Sequence, residues 1–530
     1  MATEPFSDLR SAYSTHEKIV VSDLPELTQD VLVRTAHGAA IHATLNDDSA
    51  MFDHLPEGTH ALEARSTSDE ILAEEFFTVR RHQGEDPIMG FATSFGSTQQ
   101  ESVLSWLRRL RCTVVQVYDW MESYSKPLAT TNLYRDPLGR PIERDQLEQL
   151  ITGIRGSGAV AQAYAPVIAA DDKFAADHPE WRLFRSDGAP QSLGDLLQIM
   201  NPGNSGWQQH WIESYGDAVD ELGFNGFHLD TYGYPRVALN SVGETVSVAD
   251  GYADFVGAVR EARPNDVISF NQVNGVPRAF APPTSPSFRY VEVWPPNDKW
   301  RHIEGLLQRG AGNRPVHGDT LALYPPVWGD DRNSALRTGI LSEAIITVLG
   351  ANTLIWGDDN GVLCHPYYVN HEQLRGQEIA TVLEWHRFGL RCRDLFKGRT
   401  DTSWYELDDE NASVIVLSST KASPEPVGDA LFVRVIRSDE EVVVSVLDLS
   451  GSVDGSWSSG TGPGTCTSAK VSILVDAPDK WQAEAAVLGR DEGRFTSLET
   501  SVVSMREGRG VSCDIRIDGG WSVLRLATKL

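Results

Sequence analysis

Three acidic residues in the middle of this chain each close or follow a short apolar run. They are Asp230, Glu292 and Asp358. In a barrel of parallel strands, side chains at the carboxyl ends of the strands converge on one mouth, and catalytic groups are found there. Two carboxylates at such a mouth, one a nucleophile and the other a proton donor, are what hydrolysis of a glycosidic bond requires.

Each of these carboxylates also has a purely structural interpretation. Asp230 could cap a helix or a turn, and Asp358 could belong to a turn. Glu292 could form a buried ion pair with Arg289 or Arg301. The bulky neighbours of Glu292 favour a chemical role, because desolvation raises the pKa of a carboxyl group as a general acid requires.

Aromatic residues accompany the carboxylates, at or just after the same predicted strand ends. Apolar faces of sugars stack on such rings, although rings of this kind can also pack loops over the rim of a barrel, so we expect about half of them to touch a ligand. His228 points to the same side of its strand as Asp230, where it could bind a sugar hydroxyl or orient the carboxylate. The aromatic residues are Tyr118, Trp120, Tyr164, Tyr232, Tyr234, Trp294, Trp328, Trp356, Tyr367 and Tyr368.

The elements that position these residues alternate between apolar runs and amphipathic helices, which is typical of a parallel sheet. Eight such runs predict an α/β fold, a (β/α)8 TIM barrel over residues 87–400. The clearest helix follows Asn204 and Ser205, which are possible caps. The runs begin at Gly90, Thr113, Ala159, Gly226, Val267, Tyr290, Thr320 and Asn352.

The two ends of the chain show short β-rich runs separated by turn residues. Residues 1–86 predict an N-terminal immunoglobulin-like β-sandwich, and residues 401–530 predict a C-terminal antiparallel β-sandwich domain. The stretch Ser452–Thr467 is rich in Ser and Gly, so we expect it to form a mobile loop or hairpin tip.

Composition excludes several classes of protein. The net charge of −28 opposes binding to nucleic acid or to an anionic membrane. No phosphate loop, His-Glu-x-x-His motif or nucleophile elbow occurs, and His228, Asp230 and His302 are too scattered to indicate a metal, so no cofactor is expected. Five unpatterned cysteines and the absence of a signal-like start favour the cytoplasm, unless a signal peptide had been removed. The oligomeric state is left open.

An ordered set of motifs resembles glycoside hydrolase family 66, which comprises dextranases and cycloisomaltooligosaccharide glucanotransferases. The resemblance runs from about residue 89 to residue 370, and the flanking β domains also fit the layout of that family. The motifs are Gln116-Val-Tyr-Asp-Trp-Met, His178-Pro-Glu-Trp, Asn201-Pro-Gly-Asn-x-x-Trp-Gln, Gly223-Phe-Asn-Gly-Phe-His-Leu-Asp-Thr-Tyr-Gly, Tyr290-Val-Glu-Val-Trp-Pro, Gly357-Asp-Asp and Pro366-Tyr-Tyr.

The resemblance implies a retaining enzyme that cleaves α-1,6-linked glucan, with Asp230 as nucleophile and Glu292 as acid/base. It also implies that Asp358 binds sugar and that residues near the second strand line the site, namely Gln116, Asp119 and Trp120. Hydrolysis is favoured over cyclisation, because the spacing of the strands leaves no room for the carbohydrate-binding module inserted in the barrel of cyclising members. A transglycosylase and a non-catalytic carbohydrate-binding barrel remain the alternatives.

Overall fold

The fold is known from a computed structural model, which describes residues 5–46, 48–194, 196–276, 285–311, 318–326, 331–397 and 413–528. Trp328 and the predicted domain boundary at residue 400 lie outside these ranges. Within them, no helix is long and apolar enough to cross a membrane.

Eight parallel strands form a nearly closed barrel, which confirms the predicted fold class. Each strand pairs with the next in chain order, and β8 lies against β1 to complete the ring. The strands are β1 (Met89–Ala92), β2 (Val114–Val117), β3 (Val160–Pro166), β4 (Gly226–Asp230), β5 (Val267–Asn271), β6 (Phe288–Glu292), β7 (Thr320–Ala322) and β8 (Asn352–Leu354).

Seven long helices surround the barrel in the described part of the chain. They are α1 (Gln100–Arg109), α2 (Arg144–Gly156), α3 (Ser205–Leu222), α4 (Val248–Ala262), α5 (Trp300–Ala311), α6 (Arg332–Val348) and α7 (Gln377–Cys392). Helix α3 shows how sequence sets the bounds. The Asn204 side chain accepts hydrogen bonds from the backbone N–H groups of Gly206 and Trp207, and Gly223 ends the helix at φ 78°.

The loops of the barrel carry short elements of their own. They include two-stranded and three-stranded antiparallel sheets. These strands are Leu133–Arg135, Pro141–Glu143, Ala169–Ala170, Ser192–Leu193, Leu197–Ile199, Val237–Leu239, Thr245–Ser247, Trp356–Gly357, Gly361–Val362 and Glu372–Gln373. Short helical segments are Asp172–Asp177, Pro179–Trp181, Tyr368–Asn370 and Arg393–Lys397.

Two sheets precede the barrel and pack on a core of their own that includes Val33, Leu62 and Phe77. The five-stranded sheet is antiparallel except where its first and last strands pair in parallel. Its strands are Ala12–Ser14, Asp30–Thr35, Ala40–His42, Gly58–Arg65 and Ile71–Arg80. The three-stranded sheet consists of Ile19–Val21, Thr44–Asn46 and Ser49–Phe52.

Two further, largely antiparallel sheets follow the barrel and enclose a separate core that includes Val433, Val444 and Ile515. One contains Val414–Ser418, Ser468–Leu474, Ser501–Met505 and Gly508–Arg516. The other contains Ala422–Ser423, Leu431–Arg437, Glu441–Asp448, Trp481–Val487, Thr496–Ser497 and Trp521–Thr528. Short helical turns are Pro478–Lys480 and Asp491–Gly493.

Candidate active site

One side-chain amide joins the two predicted catalytic carboxylates. Asn271, the last residue of β5, lies between the ends of β4 and β6. Its Nδ2 donates to Asp230 Oδ1 over 2.8 Å and to Glu292 Oε2 over 2.9 Å. The other end of the amide is fixed as well, because Asn271 Oδ1 accepts the backbone N–H of Glu292 at 3.2 Å. The orientation of the amide is therefore set by its partners.

Each carboxylate has a tyrosine partner of its own. The hydroxyl of Tyr164, from β3, donates to Asp230 Oδ2 over 2.9 Å. The hydroxyl of Tyr324, just past β7, donates to Glu292 Oε1. Five consecutive strands, β3 to β7, therefore contribute side chains to one hydrogen-bonded group at the mouth.

The shared nitrogen limits the distance between the two carboxylates. The oxygens of Asp230 and Glu292 that it joins lie within about 5.7 Å of each other, since neither is more than 2.9 Å from it. Retaining glycosidases hold their carboxyl groups about 5–5.5 Å apart, whereas inverting enzymes leave about 6.5–9.5 Å for a water molecule. The upper limit for these two oxygens lies below the range of the inverting enzymes.

Both carboxyl groups have raised pKa values. Burial is the largest cause of the raised pKa of Asp230, followed by repulsion from the negative Glu292. Burial also raises the pKa of Glu292, against the opposing effect of the donors Tyr324, Asn271 and Trp294. Because two close carboxylates resist being charged together, the pair tends to retain one proton. One charged and one protonated carboxyl group is the state that a nucleophile and a general acid need.

His228 lies one layer below the carboxylates, inside the barrel. Its Nδ1 is 3.0 Å from Ser269 Oγ, which in turn donates to Gln162 Oε1 over 3.1 Å. Burial lowers the pKa of His228 to about 3, so the ring is neutral. Its ring packs edge-on against Tyr290, with centroids 4.4 Å apart. This network supports the floor of the mouth, and the structure shows no contact of His228 with the Asp230 carboxylate.

Several of the predicted aromatic residues do form a wall at the mouth. Tyr118 stacks on Tyr368 at 4.4 Å and lies 4.2 Å from Tyr164, measured between ring centroids. The Tyr368 hydroxyl is 2.6 Å from that of Tyr290. These rings are largely buried, as is Gln116, which shares the inward face of β2 with Tyr118.

The opposite side of the carboxylates carries partly buried aromatic rings. Trp294 lies 5.6 Å from Tyr324 between ring centroids. Tyr232, two residues beyond Asp230, is partly buried as well, and repulsion from Asp230 adds to the effect of burial in raising its pKa. Tyr234 and Tyr367 are exposed farther out, with 65% and 38% of their surface accessible.

Asp119 is a buried acid beside this group. Its backbone has φ 51°, its residue is 4% exposed, and Oδ2 has no hydrogen-bond partner among the described residues. Burial raises its pKa to about 8, with Arg140 opposing and Asp136 and Asp230 reinforcing the shift. A protonated carboxyl group here could donate a hydrogen bond to a sugar hydroxyl.

Two predicted sugar-binding tryptophans lie away from the mouth. Trp120 is fully buried beside α3, where its Nε1 donates to the carbonyl of Tyr164 over 3.0 Å. Trp356 is 3% exposed and packs outward on α6, where its Nε1 donates to Glu343 over 2.7 Å. Both indoles have their polar atom satisfied within the protein, so their position is that of core residues.

Asp358 also differs from the expectation of sugar binding. It is 0% exposed, and its Oδ2 accepts from the backbone and hydroxyl of Thr93, each over 2.5 Å, and from the Ser94 backbone over 2.9 Å. Its Oδ1 accepts from the Asp359 backbone, and its own N–H donates to Phe91. The carboxylate therefore fastens the end of β8 to β1 and is not exposed to a ligand.

The structural alternative for Glu292 is not observed. Arg289 points outward from β6 and pairs with Asp319, while its Nη2 also donates to the carbonyl of Leu307. Sequence reasoning missed two residues of the site, Asn271 and Tyr324. Both stood at the end of a predicted run, and that position was the available signal.

The described residues contain no group of three or more His, Cys, Asp or Glu side chains that could hold a metal ion.

Two neighbouring carboxylates at the mouth of a barrel are the arrangement that glycosidases use. Residues 77–515 match the model of glycosyl hydrolase family 66. The chain belongs to that family.

Relatives of known activity align with parts of the chain. Over 270 residues, 45% of this chain, it is 25% identical to a cycloisomaltooligosaccharide glucanotransferase from Niallia circulans. Over 153 residues, 25% of this chain, it is 29% identical to a dextranase from Streptococcus salivarius. The aligned regions span only 28% and 18% of the lengths of these two relatives.

A solved structure resembles the whole fold. A cycloisomaltooligosaccharide glucanotransferase from Paenibacillus sp., crystallised with cycloisomaltoheptaose, superimposes with a TM-score of 0.80 over 97% of this chain and 98% of the other. The two are 15% identical in sequence. The similarity therefore describes the fold, and the activity has to be argued from the site.

Proposed function

We propose that this protein is a retaining glycoside hydrolase that cleaves α-1,6-linked glucan, either dextran or isomalto-oligosaccharides. The observation that carries the proposal is the single nitrogen of Asn271 that donates to both Asp230 and Glu292. It keeps the two carboxyl groups close enough for one sugar ring to lie between a nucleophile and a proton donor.

Asp230 is suited to be the nucleophile. Asn271, Tyr164 and the backbone of Thr231 all donate to its carboxylate, and these hydrogen bonds favour the charged form against the opposing effect of burial. The charged oxygen attacks the anomeric carbon, and a covalent glycosyl ester forms as the bond to the departing oxygen breaks.

Glu292 is suited to be the acid and then the base. Burial favours its protonated form, so it can give a proton to the departing glycosidic oxygen. Once charged, it can take a proton from a water molecule, which attacks the anomeric carbon and releases the sugar from Asp230. Two displacements at the same carbon retain the anomeric configuration.

The substrate class rests on the family and its named members. The relatives are a dextranase and enzymes that form cyclic isomalto-oligosaccharides. The partly exposed rings of Trp294 and Tyr324, beside Glu292, supply stacking surfaces for glucosyl units.

Transglycosylation by the same site is the second candidate. The sequence relatives named as glucanotransferases favour it, since a covalent intermediate can pass to a sugar hydroxyl as well as to water. Whether water or a sugar hydroxyl accepts the glycosyl unit depends on how tightly the acceptor sugar binds beside the intermediate.

A panel of substrates tests the proposal. The purified protein is incubated with isomaltoheptaose, maltoheptaose and cellohexaose, and products are separated by chromatography. We expect cleavage of isomaltoheptaose alone, with linear shorter products for hydrolysis and longer or cyclic ones for transglycosylation. Asp230→Asn and Glu292→Gln should each abolish it, whereas Glu213→Gln, on the exposed face of α3, should not. Equal cleavage of the α-1,4 substrate, or full activity of either site variant, would contradict the proposal.

A further inference from the structure

The Ser- and Gly-rich stretch of the C-terminal region packs against the barrel. We call residues 451–462 the bracing segment; they lie between the strands Glu441–Asp448 and Ser468–Leu474. Composition predicted a mobile loop here. Instead, Ser452, Ser456, Trp457 and Thr461 are each at most 4% exposed, and Trp457 belongs to the same apolar core as the barrel.

The bracing segment binds the loop that follows Glu292. We call residues 293–299 the β6 loop, because they connect β6 to α5. Trp457 Nε1 donates to the carbonyl of Asn297 over 2.7 Å, and Ser456 Oγ donates to that of Asp298 over 2.8 Å. Lys299 forms an ion pair with Asp454 at 2.6 Å. Three successive residues of the β6 loop are therefore bound by the bracing segment of the C-terminal region.

The other half of the bracing segment is anchored on α6. Thr338 Oγ1 donates to the carbonyl of Ser459 over 2.8 Å, and the Thr461 backbone donates to the carbonyl of Ser334 over 3.3 Å. A Cβ atom at Gly460 would lie 2.2 Å from Ser334 Oγ, so the segment packs closely on α6 at this point. Because it is fixed at two points, the segment can restrain the β6 loop.

Hydrogen bonds continue from the β6 loop to the candidate acid/base. Asn297 Nδ2 donates to Asn274 Oδ1 over 3.1 Å, and the backbone of Trp294 donates to the same oxygen over 2.8 Å. The backbone of Asn274 donates to the carbonyl of Glu292 over 2.9 Å. Asn274 has φ 53°, which turns its backbone and side chain toward these partners. The route from Trp457 to Glu292 is thus continuous.

We infer that Trp457 is a positioning residue for the active site, acting through Asn297 and Asn274 on Trp294 and Glu292. The inference builds on the proposed function, in which Glu292 is the acid/base and Trp294 a sugar-binding ring. It assigns the C-terminal region a part in catalysis, that of holding the β6 loop in the geometry the mouth requires.

The first test needs no substrate. Hydrogen–deuterium exchange is followed in peptides that cover residues 290–300, in wild type, Trp457→Phe and Trp481→Phe. Trp481 is the matched control, because its Nε1 also donates to a carbonyl, that of Asp476, over 3.0 Å, away from the barrel. We expect faster exchange in the β6 loop for Trp457→Phe alone. Unchanged exchange there would overturn the inference even if the enzyme proved inactive.

The second test uses activity on isomaltoheptaose. Trp457→Phe should lower kcat by about three- to tenfold, since small displacements of reacting groups slow catalysis strongly, and it should shift the basic limb of the pH–rate profile set by Glu292. Ser456→Ala removes a smaller contact with the same loop and should also lower kcat, by less than Trp457→Phe does. A wild type without activity would contradict the proposed function. An active wild type, with Trp457→Phe equal to Trp481→Phe in kcat and pH profile, would contradict the inference.

Discussion

Asp230 and Glu292 lie on different strands of the barrel, and the side-chain nitrogen of the residue between them is within 2.9 Å of both carboxylates. That residue, Asn271, ends the intervening strand β5, and its carbonyl oxygen accepts the Glu292 backbone N–H. The amide therefore acts as a spacer that keeps the two acids within hydrogen-bond reach of one nitrogen and stabilises negative charge on either one.

Removal of this spacer should slow catalysis and move its pH dependence. Asn271→Ala deletes a donor to both carboxylates, and both donations lower the pKa of their acceptors. We expect kcat to fall by about 10- to 100-fold and both limbs of the pH–rate profile to move to higher pH. Ser269→Ala, one layer below on the same strand, is the control and should keep the wild-type limbs. Unshifted limbs in Asn271→Ala would contradict the assignment of the spacer.

Tyr324 should tune the acid/base alone. Its hydroxyl lowers the pKa of Glu292, so Tyr324→Phe raises that pKa further. The basic limb of the pH–rate profile, where Glu292 loses its proton, should then move to higher pH, while the acidic limb stays in place. Tyr290→Phe is the matched control, because that hydroxyl meets Tyr368 instead of a carboxylate. A basic limb that shifts equally in both variants would count against this role.

Substitutions of Trp294 and Trp356 should have different effects, one on KM and the other on Tm. Trp294 is partly exposed at the mouth, so Trp294→Ala should raise KM for isomaltoheptaose by about tenfold through lost stacking. Trp356 is buried against α6, so Trp356→Phe should lower Tm and leave KM unchanged. Steady-state kinetics and thermal unfolding of both variants check the prediction. A higher KM for Trp356→Phe would place that ring near the substrate after all.

The buried carboxyl group of Asp119 should make stability fall as the pH rises from about 4 to about 8. Its pKa is raised to about 8 in the folded protein and is about 4 when unfolded, so the folded state holds the proton more tightly. The corresponding stability is complete below about pH 4 and is lost as pH rises through about 8. Asp119→Asn removes this dependence. The difference in Tm between this variant and wild type should therefore shift in favour of the variant from pH 5 to pH 9. Asp217→Asn, at an exposed position on α3, should show the same pH dependence of Tm as wild type.

The sequence predicted the barrel and the position of both carboxylates at strand ends because these features depend on local pattern. Apolar runs of strand length define the sheet, and a carboxylate that closes such a run is rare enough to attract notice. Asn271 and Tyr324 also close predicted runs, but an amide or a phenol has many ordinary roles there. Only the side-by-side arrangement of β4, β5 and β6 shows that Asn271 reaches two acids at once.

The position of a residue at the end of a strand did not predict whether its side chain faces the mouth of the barrel. Asp119 adopts a left-handed backbone, and the following Trp120 lies under α3. Trp356 lies on the outward side of its strand, and Asp358 turns inward to bind β1. Composition alone was equally limited for the bracing segment, because serine and glycine allow close packing as well as mobility.

Trapping of the covalent intermediate tests the central claim most directly. The protein is incubated with 5-fluoro-α-D-glucosyl fluoride, which slows the breakdown of a glycosyl ester, and is digested at low pH for mass spectrometry. The proposed mechanism predicts one fluoroglucosyl adduct, on the peptide that contains Asp230, and none in Asp230→Asn. An adduct on Glu292, or turnover with an inverted anomer and no adduct, would contradict it.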